Sequence, residues 1–113
     1  MMKKLILVLL IYASASADVF YELQSMVGWT IIDSKTIVAF KEPGQAKQSG
    51  FEGCNGETII YFMDGSTAQC SSLGLTLDIM PTAIIFGRSM DYKGKKVTLY
   101  RMLIDDQMYD IFF

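Results

Sequence analysis

Asp105, Asp106 and Asp110, with Glu52 and Glu57 upstream, are the residues of this 113-residue chain whose type and spacing come closest to catalytic chemistry. A carboxyl pair is the minimum equipment for glycoside hydrolysis, one group giving a proton to the leaving oxygen and the other attacking or activating water. Three acids beside one turn also make an ordinary solvated face, and without further oxygen ligands they would hold a hard cation only weakly. The solvated face is the simpler expectation. A small hydrolase built on these carboxylates is the alternative.

Other chemistries are closed off by what the chain lacks. It has no histidine, which excludes Ser-His-Asp triads, Cys-His pairs and His-ligated metals. Its serines include neither a Gly-x-Ser-x-Gly elbow nor a Ser-x-x-Lys motif. Gly53-x-x-Gly56 lacks the Gly-Lys-Ser/Thr that completes a phosphate loop, so it reads as a backbone bend. Met26, Met63, Met80, Met90, Met102 and Met108 form no Met-x-Met or Met-x-x-Met cluster for copper and read as packing or adaptable contact surface. Neither a cofactor nor a metal is expected.

Cys54 and Cys70 are the only cysteines, and their meaning depends on the compartment. Residues 1 to 17 combine Lys3-Lys4, an apolar run from Leu5 to Tyr12 and the small residues Ala15-Ser16-Ala17, the layout of a cleaved export signal. The run is well short of the roughly 20 residues needed to span a bilayer. Cleavage is expected between Ala17 and Asp18, leaving one exported domain over residues 18 to 113 in the periplasm or the medium. Asp18 is not a cysteine, so it offers no thiol for a lipid anchor. The short leader leans towards a bacterial source. In an oxidising compartment Cys54 and Cys70 should bridge. They lack Cys-x-x-Cys spacing and a histidine to activate a thiol, so a staple is expected rather than a redox centre.

Lys3 and Lys4 leave with the leader, so eight basic residues face twelve acidic ones and the side-chain charge becomes −4. Nucleic acid is a poor partner for such a surface. Lys93, Lys95 and Lys96 around Gly94 form the one basic cluster and read as a solvated turn.

The elements that must position these residues are mostly strands. Val19, Leu23, Met26 and Val27 recur at helical spacing after the cap residue Asp18, and Gly28 can end that short helix. Trp29–Ile32 and Thr36–Phe40 flank Asp33-Ser34-Lys35 and predict a first hairpin. Residues 41 to 53 read as a mobile polar loop. Thr58–Met63, Asp64-Gly65 and Ser66–Cys70 predict a second hairpin with a tight primed turn, Met63 opposite Ser66 and Ile59 opposite Cys70. Leu73–Met80 is apolar and ends at Pro81, the mark of an edge or a break. Thr82–Phe86, Val97–Ile104 and Gln107–Phe113 complete the strands. The fold expected is mainly β: a short N-terminal helix, then a small antiparallel β-barrel or rolled sheet of about six to seven strands with one disulfide. A sandwich is the alternative.

Tyr109, Ile111 and Phe113 alternate with Met108, Asp110 and Phe112. A terminal Phe on such a strand resembles the closing strand of bacterial outer-membrane β-barrels, which would imply an integral barrel. The resemblance covers only the last few residues, and those barrels need at least about eight strands of about 9 to 11 residues. Stable membrane insertion is therefore not expected. The function expected is an exported, non-enzymatic protein-binding module of the cell envelope, such as an inhibitor, immunity factor or accessory protein. The expected partner surface is the polar loop framed by Phe40 and Phe51, with Pro43-Gly44 in its bend. Oligomeric state is left open.

Overall fold

A computed structural model describes residues 19–113. The leader, the Ala17–Asp18 cleavage point and the Asp18 cap lie outside the described residues. The fold is mainly β, as the alternating patterns predict. A short helix α1 (residues 19–24) precedes strands β1 (Thr30–Lys41), β2 (Gln48–Ser49), β3 (Cys54–Asn55), β4 (Thr58–Phe62), β5 (Thr67–Cys70), β6 (Leu73–Gly74), β7 (Thr82–Tyr92), β8 (Lys95–Ile104) and β9 (Gln107–Phe112). Helix α1 is shorter than the apolar stripe implies. Met26 is buried, but Leu23 and Val27 are exposed, because the chain leaves the helix through turns closed by Leu23 and Met26 carbonyls before Gly28 reverses it.

Six strands close into an antiparallel barrel in the order β1-β4-β5-β9-β8-β7 and back to β1, with β2 added at the outer edge of β1. Closure depends on β1, and here the structure corrects the first hairpin. Asp33, Ser34 and Lys35 are not a turn. They pair with Ile85, Ile84 and Ala83 of β7, while Ile37–Lys41 of the same strand pair with β4. Register shifts between Ile31 and Asp33 and between Ile37 and Ala39 let one strand serve two neighbours, as bulges do at barrel corners. The polar triplet lies at the rim, where its side chains are not forced into the core.

The second hairpin forms, with its register moved by one residue. Ile59 faces Gln69 and Thr58 faces Cys70. Phe62 N donates to Ser66 O and Gly65 N to Phe62 O, so the connection is the three-residue loop Met63-Asp64-Gly65. Only Gly65 takes a positive φ (88°), whereas a two-residue primed turn of type I′ would require it of Asp64 as well. The shift decides the faces: Thr58, Ile60 and Phe62 turn inward together with Ala68 and Cys70.

The interior is packed with Ile37, Ile60, Phe62, Ile85, Met102, Ile104, Tyr109 and Ile111. Residues 41–53 do not form a free loop. They fold back through β2, which pairs with Ala39 and Phe40, and insert Phe51 into the core, where its ring meets the Tyr109 ring edge-on at 5.8 Å. Cys54 and Cys70 form the disulfide, their Cα atoms 5.8 Å apart. Gly53, at φ 105°, makes the required bend with its Cα against the Gly74 carbonyl, where any Cβ would be 2.2 Å from that oxygen.

Candidate functional site

The carboxylates do not assemble into a catalytic pair. Asp105 and Asp106 form the β8–β9 turn, with Asp105 at φ 52°, and Asp110 lies on β9, where its Oδ1 accepts from Arg101 Nε at 2.7 Å. Arg101 also stacks over Trp29, 4.8 Å from its ring, and reaches Met26 Sδ, which ties the connection between α1 and β1 to the barrel. Asp110 is therefore occupied as a structural partner. Glu57 is exposed at a turn where its N–H donates to Asn55 Oδ1, and Glu52 is exposed on the segment beside Phe51. Among the described residues no group of three or more acidic or cysteine side chains converges on a possible metal position.

A serine, a lysine and an aspartate do meet, at the rim. Lys35 Nζ contacts Asp64, Ser66 Oγ at 3.1 Å and Asp33 at 3.5 Å, and lies over the Phe62 ring at 5.5 Å. This arrangement cannot activate the serine. The hydrogen bond that Lys35 donates to Asp64 raises the Lys35 pKa, against the smaller opposing effect of burial, so the amine keeps its proton at neutral pH and is no base. Asp64 is held well below the usual carboxylate range by Lys35 first and by Ser66 second, so it is a weak proton acceptor as well. The trio fastens the β4–β5 loop to β1.

Phe40 and Phe51, expected to frame a partner surface, are buried at 2% and 1% exposure, and only Pro43 and Gly44 of that set reach the surface. A run of exposed aliphatic side chains lies instead on the segment that sequence periodicity marked only as an edge or a break. Leu73, Leu75, Leu77 and Ile79 are between 72% and 81% exposed. Their direction is set from inside: a Cβ on Gly74 would lie 2.5 Å from Tyr109 Cε1, and Thr76 is buried with its hydroxyl bonded to the Tyr109 hydroxyl. Since Gly74 and Thr76 face the ring of Tyr109, the side chains of Leu73, Leu75 and Leu77 on either side of them turn outward, and Ile79 is exposed beyond the bridge at Asp78. Asp78 exchanges both backbone hydrogen bonds with Phe51, which holds the far end of the segment against the fold. Leu77 and Ile79 thereby border an open hollow of about 390 Å³ with Ser49, Gly50, Phe51 and Glu52. The alternation Leu-Gly-Leu-Thr-Leu was the available sequence signal; its reversed sense, with the leucines out and Gly74 and Thr76 in, needs the position of Tyr109 to be read.

No protein-family model matches the chain, and comparison with characterised proteins and with solved structures finds no match.

Proposed function

We propose that this protein is an exported, non-enzymatic binding module of the cell envelope that holds a protein partner through the Leu73-Leu75-Leu77-Ile79 stripe. The observation carrying the reading is that stripe: four large exposed aliphatic side chains at alternate positions, the leucines turned outward by Gly74 and Thr76, with Leu77 and Ile79 bordering a hollow. Scattered exposed leucines need no explanation, but a contiguous apolar row on a small domain is the usual mark of a contact site. The disulfide supports an oxidising compartment. The apolar interior and the four- and five-residue strands β5 and β4 argue against a membrane barrel, whose lumen is polar and whose strands are about twice that length. The inert setting of Ser66 and the pairing of Asp110 argue against hydrolysis.

The test is affinity capture from envelope extract with the wild-type protein and with Leu75→Glu/Leu77→Glu. A stoichiometric protein partner retained by the first and lost by the second is the expected outcome. Cleavage of peptidoglycan or another glycan that disappears in Asp106→Asn would overturn the proposal, as would a partner held equally by both proteins.

A further inference from the structure

The hairpin of β7 and β8 outruns the barrel. β1 pairs with β7 as far as Gly87, and β9 pairs with β8 as far as Tyr100. From Arg88 to Leu99 the two strands therefore pair only with each other, through five cross-strand levels and the turn Lys93-Gly94, whose φ angles of 50° and 77° suit a two-residue primed turn. Five levels at strand rise make an arm about 17 Å long.

Its two faces differ. Direct cross-strand partners share a face, so Arg88 and Leu99, Met90 and Val97, and Tyr92 and Lys95 lie together, while Ser89, Thr98, Asp91 and Lys96 occupy the other. One face thus holds an apolar strip, Leu99-Met90-Val97-Tyr92, with cations at its base and at its tip. Met90, Tyr92 and Leu99 are all exposed. The arm carries Arg88, Lys93, Lys95 and Lys96 against Asp91 alone, a net +3, whereas the other described residues carry four basic and ten acidic side chains, a net −6. An isolated two-stranded ribbon is marginal in water without a further layer packed on its apolar face, and among the described residues Met90 and Tyr92 of this strip stay exposed.

We propose that this arm docks the protein on the surface of a bilayer rich in anionic lipid. The positive charge selects an anionic partner. The combination of cations, a tyrosine and short apolar side chains on one narrow face matches an interface where phosphates lie directly above hydrocarbon. Lys93 and Lys95 at the tip keep the contact shallow, which distinguishes docking from insertion. The arm's length is about twice the Debye length at physiological salt, about 8 Å, so its field acts on a surface separately from that of the acidic barrel.

The experiment is co-sedimentation of the protein, recovered after expression with its leader, on vesicles of phosphatidylcholine alone and of phosphatidylcholine mixed equally with phosphatidylglycerol. Binding to the mixed vesicles only, reversed by high salt, is expected. Lys93→Gln/Lys95→Gln should weaken it about thirty-fold, from the usual contribution of a basic residue near an anionic surface. Met90→Ser/Tyr92→Ser should weaken it several-fold at unchanged net charge. All four positions are exposed, and an unchanged melting temperature confirms that each variant is folded. Equal binding to both vesicle types, no binding to either, or arm variants that bind as wild type would overturn the proposal. So would tighter, salt-sensitive binding to poly-glutamate that Met90→Ser/Tyr92→Ser leaves unaltered, which would assign the arm to an acidic protein.

Discussion

Two glycines govern where the disulfide loop and the leucine stripe can lie. Gly53 combines a left-handed φ with a backbone contact that admits no Cβ, and Gly74 faces a tyrosine ring that Phe51 and Thr76 hold in place. Gly53→Ala and Gly74→Ala should each lower unfolding free energy by about 2 to 3 kcal/mol, the scale of backbone strain and overpacking, measured as a shifted urea midpoint at constant slope. A control at Gly44, whose Cβ position is open, tests φ alone and should cost less. The Lys35–Asp64 pair makes a second prediction at this scale. Asp64 has a lowered pKa, so its contribution is present above the ordinary carboxylate range and fades as pH falls through and below about 4. Lys35 has a raised pKa, so its contribution is complete below the ordinary lysine value and fades as pH rises past it. The melting-temperature difference between wild type and Asp64→Asn should therefore be flat from mildly acidic to mildly alkaline pH and shrink below about pH 4. A difference that grows in acid would contradict the pairing.

At the scale of elements, much of the strand pattern was legible. β4, β5, β8 and β9 follow from alternation, from Asp64-Gly65, Lys93-Gly94 and Asp105-Asp106, and from β-branched and aromatic content. Two of the departures share a physical origin. Asp33-Ser34-Lys35 has turn composition but sits in a strand at the barrel rim, where polar side chains meet solvent and Asp64 while the backbone pairs normally. Residues 41–53 have loop composition, yet Phe51 is drawn into the core by Tyr109. Local composition cannot register either long-range contact. The burial of Phe40 and Phe51, like the outward turn of Leu73, Leu75 and Leu77, is likewise decided by residues far along the chain. Because the stripe contributes little to the fold, Leu75→Glu or Leu77→Glu should change stability by no more than about 0.5 kcal/mol, read by thermal melting. A loss of several kcal/mol would mean that these side chains are core residues.

For the molecule as a whole, a barrel that closes through one bent strand leaves small elements such as β3 and β6 outside its hydrogen-bond ring, attached by the Cys54–Cys70 bridge and by Tyr109. The staple spans a sequence separation of 16, and chain entropy gives it about 3 kcal/mol. Cys54→Ser/Cys70→Ser should lose about that much, and loosening of residues 50–56 and 71–80 in hydrogen exchange should exceed that in β7 and β8. The proposed contact through the leucine stripe is tested most directly by photo-crosslinking in cells that express the full chain. A photoreactive residue at position 77 should yield one discrete protein adduct that the same residue at exposed position 45 does not. Absence of an adduct at 77, or the same adducts at both positions, would contradict it.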